Sequence, residues 1–184
     1  MKAKWLLPLF TLFLSACGYN TIQTMDETAA AARQQIEVQL QRRADLVPNL
    51  VETVKGYAAQ EEKIFTEVAQ ARSALLGARS GGNMGEMANA NQELTGALGR
   101  LLAISESYPQ LKSDATFLRL QDELTGTENR IAVSRTDYNN AVRDYNAYIR
   151  RFPAVLTAKV TGAKPHEYFE VTTAANREAP KVSF

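Results

Sequence analysis

Every seventh residue from Phe117 onward is large and apolar or aromatic: Phe117, Leu124, Ile131, Tyr138, Tyr145 and Phe152. A column that returns strictly at seven requires a long helix whose one stripe stays against partner helices, as in a left-handed supercoil. The column four residues further on reads Gln121, Glu128, Arg135, Val142 and Ile149, polar in its first half and aliphatic in its second. The flanking column, Leu120, Thr127, Ser134, Ala141 and Tyr148, is mostly small and admits a close neighbour. A helix of about 38 residues from Asp114 to Phe152 would be roughly 57 Å long and must be sheathed by others. The expected fold is all-α, an elongated antiparallel bundle of three to four long helices with an irregular C-terminal tail.

The rest of the chain supplies the other helices. Ile22, Met25, Ala29, Ala32, Ile36, Leu40, Arg43 and Val47 step by three and four. The same phase continues through Leu50, Val54, Tyr57, Ile64, Val68, Ala71 and Leu75. Pro48 interrupts it, because proline removes a helical hydrogen bond and clashes with the preceding turn. A kink or a restart is expected there, with Asp45 able to cap a new helix. Gly77 to Gly85 is expected to be a loop. A third helix carries Met87, Leu94, Leu101 and Tyr108 at sevens, with Met84, Asn91 and Leu98 beside them, and Tyr108-Pro109 closes it. Asp114 can cap the last helix, which Phe152-Pro153 stops. The segments so defined are 1–16, a leader; 17–153, the bundle; and 154–184, an extended tail.

The leader has a recognisable chemistry. Lys2 and Lys4 precede an apolar run from Trp5 to Phe13 that is short for a bilayer span. Leu14-Ser15-Ala16-Cys17-Gly18 follows and is similar to the lipobox of bacterial lipoproteins. That likeness implies acylation of the Cys17 thiol and cleavage before it; an ordinary signal peptide or an uncleaved anchor is the other reading. Several acyl chains hold a protein stably on a membrane where one is marginal. Gly18 in place of an aspartate favours the outer membrane, facing the periplasm, if the cell is Gram-negative. Removing residues 1–16 takes away two of the 21 basic residues and none of the 20 acidic ones, leaving a net charge of −1. Such a balance gives no general field for attracting nucleic acid or anionic lipid. Cys17 is the only cysteine, so no disulfide can form within one chain.

Two long runs of residues resemble the LemA family. The first is Gln41-Arg42-Arg43-Ala44-Asp45-Leu46-Val47-Pro48-Asn49-Leu50, with Val54-Lys55-Gly56-Tyr57, Glu61 and Ala71-Arg72. The second is Tyr108-Pro109, Phe117-Leu118-Arg119-Leu120-Gln121 and Glu123 through Ile131, then Arg135, Asp137-Tyr138-Asn139, Val142, Tyr145-Asn146 and Phe152-Pro153. The ending, Tyr168-Phe169 and Pro180-Lys181-Val182-Ser183-Phe184, is similar as well. The resemblance implies a membrane-tethered antiparallel helical bundle in a family without an established catalytic activity, linked to envelope biology and including proteins of bacterial membrane organelles. Many members carry an N-terminal transmembrane anchor, whereas this chain has a lipobox in its place.

Catalytic, cofactor and metal sites are not expected. His166 is the only histidine and lies in the tail, where a surface loop position is the simplest reading. No Glu-x-x-His pair for a di-iron bundle is present. Gly81-Gly82-Asn83-Met84-Gly85 lacks the Lys-Ser/Thr of a phosphate loop. The carboxylates Glu61, Glu62 and Glu67, and Asp122 and Glu123, read as solvated faces. Glu128 and Arg135 fall on the seam, and Arg43 falls in the apolar column of the first segment. Buried charges need partners, so Arg43, Glu128 and Arg135, with Asp45 and Asn49, are expected to form a polar layer inside the bundle. The function that fits is a non-enzymatic, lipid-anchored scaffold or adaptor for envelope proteins. A binding module for an envelope component such as peptidoglycan or lipid is the alternative.

Overall fold

The computed structural model describes the backbone of residues 6–171 and the side chains of residues 18–171. The side chains of the lipobox and the ending Pro180 to Phe184 lie outside the described residues. The chain is all-α: α1 (Leu6–Lys55), α2 (Glu62–Gly81), α3 (Met84–Ala103), α4 (Pro109–Lys112), α5 (Ala115–Tyr148) and α6 (Ala154–Thr161), with a short 3-10 turn at Ile104–Ser107. No strand occurs among the described residues. The chain packs as two compact units. One combines the stretch ending at Gln35 with Ser134–Tyr168; the other combines Ile36–Val133 with the stretch from Phe169. They are called here the His166 unit and the Arg43 unit.

Four long helical segments, from α1, α2, α3 and α5, form most of the Arg43 unit, with the short α4 between α3 and α5. α2 and α3 are an antiparallel hairpin, and their connection is shorter than the loop expected over Gly77 to Gly85. Only Gly82 and Asn83 lie outside the helices. Gly82 takes a left-handed φ of 75° and its N–H returns to the Ala78 and Arg79 carbonyls. Asn83 then caps α3 by accepting the Glu86 N–H at 2.8 Å. Two residues suffice because one ends a helix and the next starts another. The hairpin packs Val68, Ala71 and Leu75 with Met84, Met87, Leu94, Leu98 and Leu101 in the interior. α5 runs antiparallel to α1: Gln39 receives Arg130 at 3.0 Å, and Tyr57 reaches Asp114 at 3.0 Å. Asp114 caps α5 as expected, accepting the Phe117 N–H at 2.8 Å.

α1 does not break at Pro48. It continues as one helix of 50 residues with the proline inside, and the chain first leaves helical structure between Lys55 and Glu62. The neighbouring helix explains this. Pro48 has no N–H for the carbonyl four residues earlier, that of Ala44. Arg72 of α2 fills the vacancy, donating from Nε to the Ala44 carbonyl at 2.7 Å.

The interior stripe of α5 changes its companion column along the helix. In the Arg43 unit the buried positions are Phe117, Leu120, Leu124, Thr127 and Ile131; in the His166 unit they are Tyr138, Val142, Tyr145 and Asn146, with Ile149 just past the helix end. The residue three after each heptad position therefore serves first, and the residue four after serves later. An α-helix drifts about 20° per heptad against a strict 3.5 repeat, so a fixed pair of columns cannot stay inward indefinitely. Phe152, the last member of the expected column, is 81% exposed and lies beyond the end of α5.

In the His166 unit, Ile22 of α1, Tyr145 of α5, Ile149 and Ala158 of α6 make the core, with Met25, Tyr148 and Ala163 packed on it. α6 is a correction to the extended tail expected after residue 153. Pro153 stops one helix yet sits ahead of the next, a position where its fixed φ is tolerated. Gly162, at φ 73°, ends α6. The segment after it is irregular but tied down through Asn146 and Tyr138.

Candidate functional site

Arg43 is the one fully charged side chain buried among the described residues, at 2% exposure. It occupies the apolar column of α1 because the helical phase between Leu40 and Val47 leaves no other direction. Its guanidinium donates to the Asn91 side-chain oxygen on α3 at 2.8 Å. It also lies 3.8 Å from the Glu128 carboxylate on α5, whose side chain is 55% exposed. Burial pushes the Arg43 pKa below the ordinary arginine value, and the Glu128 charge opposes that. The Nε of Arg43 is buried without a hydrogen-bond partner among the described residues. One residue on, the Arg72 to Ala44 bond brings α2 into the same level. The four long helical segments of this unit thus meet around one polar point.

The expected five-member layer is not what forms. Arg43 is inside and Glu128 approaches it from the rim. Asp45 is exposed and bonded to Gln41 at 2.6 Å, and Asn49 is exposed, its backbone carbonyl taken by Thr53 at 2.8 Å. Arg135 is exposed and belongs to the His166 unit. The cause is the drift of α5: where the inward companion is Thr127, Glu128 one residue later turns to the edge. Asn91, the real partner of Arg43, was visible only as a polar residue interrupting the column of Met84 and Leu98. Nothing in the spacing of Arg72 tied it to Pro48, which lies on another helix.

A second polar cluster sits in the His166 unit, and it corrects the reading of His166 as a plain surface residue. The Asn146 side chain accepts the His166 N–H at 2.8 Å and donates to the His166 carbonyl at 2.9 Å. Tyr138 donates its hydroxyl to the Glu167 carbonyl at 2.7 Å. The His166 ring lies 4.7 Å from the Tyr145 ring and its Nε2 is 2.6 Å from the Asp26 carboxylate. Burial raises the Tyr138 pKa, with Glu167 adding and Arg33 opposing; burial and then Asp26 raise that of Tyr145. These side chains satisfy the backbone of a segment that has no secondary structure of its own. Among the described residues no group of three or more His, Cys, Asp or Glu is placed to hold a metal ion. Glu67 pairs with Arg100 at 3.0 Å beside a shallow groove between α2 and α3, lined by Ala71, Ala74, Gly96 and Ala97. No helix of the described residues is long and apolar enough to cross a membrane.

The model of the LemA family matches residues 32–184, which takes in the node around Arg43 and the clamp of Asn146 and Tyr138 on the His166 segment, but not Asp26. The chain belongs to the LemA family. Magnetosome proteins MamQ 2 and MamQ 1 of Paramagnetospirillum magneticum are each 34% identical to this LemA-family chain over 175 residues, covering 83% of it and 64% of the relative. Magnetosome protein MamQ of Magnetospirillum gryphiswaldense is 34% identical over 174 residues, covering 82% of the chain and 64% of the relative. The chain therefore spans about 64% of the length of these curated relatives. None of the names is that of an enzyme.

Proposed function

We propose that this LemA-family chain is a non-enzymatic protein of the bacterial cell envelope, held on a membrane by acyl chains on Cys17, that acts as a scaffold for other envelope proteins. The observation that carries the anchor is Leu14-Ser15-Ala16-Cys17 directly after a short apolar run. The polar interior supports the passive role. Arg43, Asn91 and Arg72 spend their hydrogen bonds on neighbouring helices, so the chemistry of the Arg43 unit is directed at holding its own segments together. The outer surface supports recruitment: Leu118 and Val133 on α5 are 45% and 62% exposed, and apolar side chains on a helix face are what partner proteins grip.

Two measurements test the two halves. Cells fed an alkyne-bearing fatty acid should label the wild-type chain and leave the Cys17→Ser variant unlabelled; equal labelling, or none in either, removes the anchor. A photo-cross-linking amino acid at Leu118 or Val133 should capture the same discrete protein in living cells. Capture of nothing from either position removes the scaffold. Separation of inner and outer membranes places the chain, and Gly18 favours the outer membrane of a Gram-negative cell.

A further inference from the structure

α6 is folded inside out for a helix facing water. Its small residues point inward: Ala154 and Ala158 are 3% and 4% exposed, and Ala158 joins the core of Ile22, Tyr145 and Ile149. Two of its three large apolar residues point outward, while Val155 is half-buried. Leu156 is 56% exposed and Val160 89%, and Phe152, just ahead of the helix, is 81% exposed. A surface helix ordinarily turns its large apolar side chains to the core and its polar ones to solvent.

The charge around this face is one-signed. From Tyr145 to His166 the chain carries Arg150, Arg151, Lys159 and Lys164 and no aspartate or glutamate, in a protein whose net charge is only +1. All four cationic residues are exposed. The place of α6 in its unit is equally specific. A Cβ added at Gly18 would meet the Thr157 hydroxyl at 3.4 Å and the Ala154 Cα at 4.0 Å. The residue that follows Cys17 therefore rests on α6, and Tyr19 beside it is 46% exposed.

We propose that α6 is an interfacial helix, lying on a bilayer that contains anionic lipid. Phe152, Leu156 and Val160 enter the boundary between headgroups and acyl chains, while Arg150, Arg151, Lys159 and Lys164 reach the lipid phosphates. Large apolar residues on one face with flanking cations are the composition such helices use. Each cation near an anionic surface adds attraction, and lysine stems lie along the apolar layer while their ammonium groups stay wet. The inference rests on the anchored reading in one respect: acylation of Cys17 would bring this face to the membrane. It also gives the anchor an orientation, because a lipid chain alone leaves a protein free to tumble about it.

The test uses the full chain made in cells, carrying Trp5→Phe and Leu156→Trp so that position 156 holds the single tryptophan. The purified protein is reconstituted into vesicles of acyl-brominated phosphatidylcholine with a quarter of phosphatidylglycerol. Emission should shift to the blue and fall by about twofold or more through bromine quenching, less so when phosphatidylglycerol is omitted. Adding Val160→Asp should relieve the quenching with helix content unchanged by circular dichroism. Unquenched, water-like emission overturns the proposal. So does blue emission that bromine does not touch, which would mean that another segment or a second copy covers the face. Fatty-acid labelling of the same preparation separates the two readings. Quenching without acylation removes the anchor and leaves α6 at the interface; acylation with an unquenched tryptophan removes this inference alone.

Discussion

Arg43 and Asn146 are both polar residues within helices, yet they serve opposite ends in the two units. In the Arg43 unit a charge sits at the centre, and neighbouring helices reach in to meet it: Asn91 from α3, Glu128 from the rim of α5. In the His166 unit the interior is Ile22, Tyr145, Ile149 and Ala158, and the polar side chains reach outward to capture the backbone of an irregular segment. The first arrangement fixes the register of helices that are already formed, as a buried polar residue does in a coiled coil. The second fixes a stretch of chain that lacks a ladder of its own. A polar residue in a bundle thus costs least where its partner is also short of a hydrogen bond.

The comparison breaks most readily at Asn91. Asn91→Leu leaves the Arg43 guanidinium buried with only the half-exposed Glu128 carboxylate at 3.8 Å, and should lower unfolding free energy by about 2–3 kcal/mol. Denaturant titration measures it, and Arg43→Met combined with Asn91→Leu should recover most of the loss. No recovery would mean that the charge is not what the node protects. Asn146→Ala should cost about 1–2 kcal/mol by freeing two backbone groups at once. Its signature is local: hydrogen exchange at the His166 amide should quicken while amides of α2 and α3 keep their protection. Acceleration in both units would erase the distinction between them.

Smaller effects sharpen the contrast. Glu128→Gln should change stability by under about 1 kcal/mol, because a half-exposed ion pair contributes little. A large loss would restore Glu128 to the interior role that its heptad position suggests. Asp114 gives the smallest effect, seen as a pH dependence. The Phe117 N–H, then the Tyr57 hydroxyl, hold its pKa below the ordinary 3.8. A carboxylate with a depressed folded-state pKa adds stability that is present above its unfolded value and lost as pH falls through the folded one. The thermal midpoint of the wild type should therefore exceed that of Asp114→Asn at neutral pH, and the gap should close below about pH 4. A gap that persists in acid would assign the difference to geometry.

How far the residues foretold this structure differs along the chain. Five of the six members of the Phe117 column are buried, since a seven-residue return survives the drift of a real helix over a few turns. The companion column was legible only once the drift was allowed for. Thr127, which hides its hydroxyl by donating to the Leu124 carbonyl at 2.7 Å, is inward where Glu128 was expected. Arg43 declared itself by standing in an apolar column, but its partner Asn91 lies 48 residues away, a pairing that periodicity within one helix does not contain. The clamp on His166 was hidden for the same reason. Asn146 was visible as an alternation with the tyrosines, whereas its target is a backbone segment with no pattern to read.

Pro48 carries a consequence for how the molecule comes apart. A rod with a missing rung stays whole here because a neighbour lends one, so α1 is splinted by α2 at Ala44. The two should melt as a couple: whatever lifts α2 away also weakens α1 at its middle, and a protease that waits for such openings would cut first near that proline.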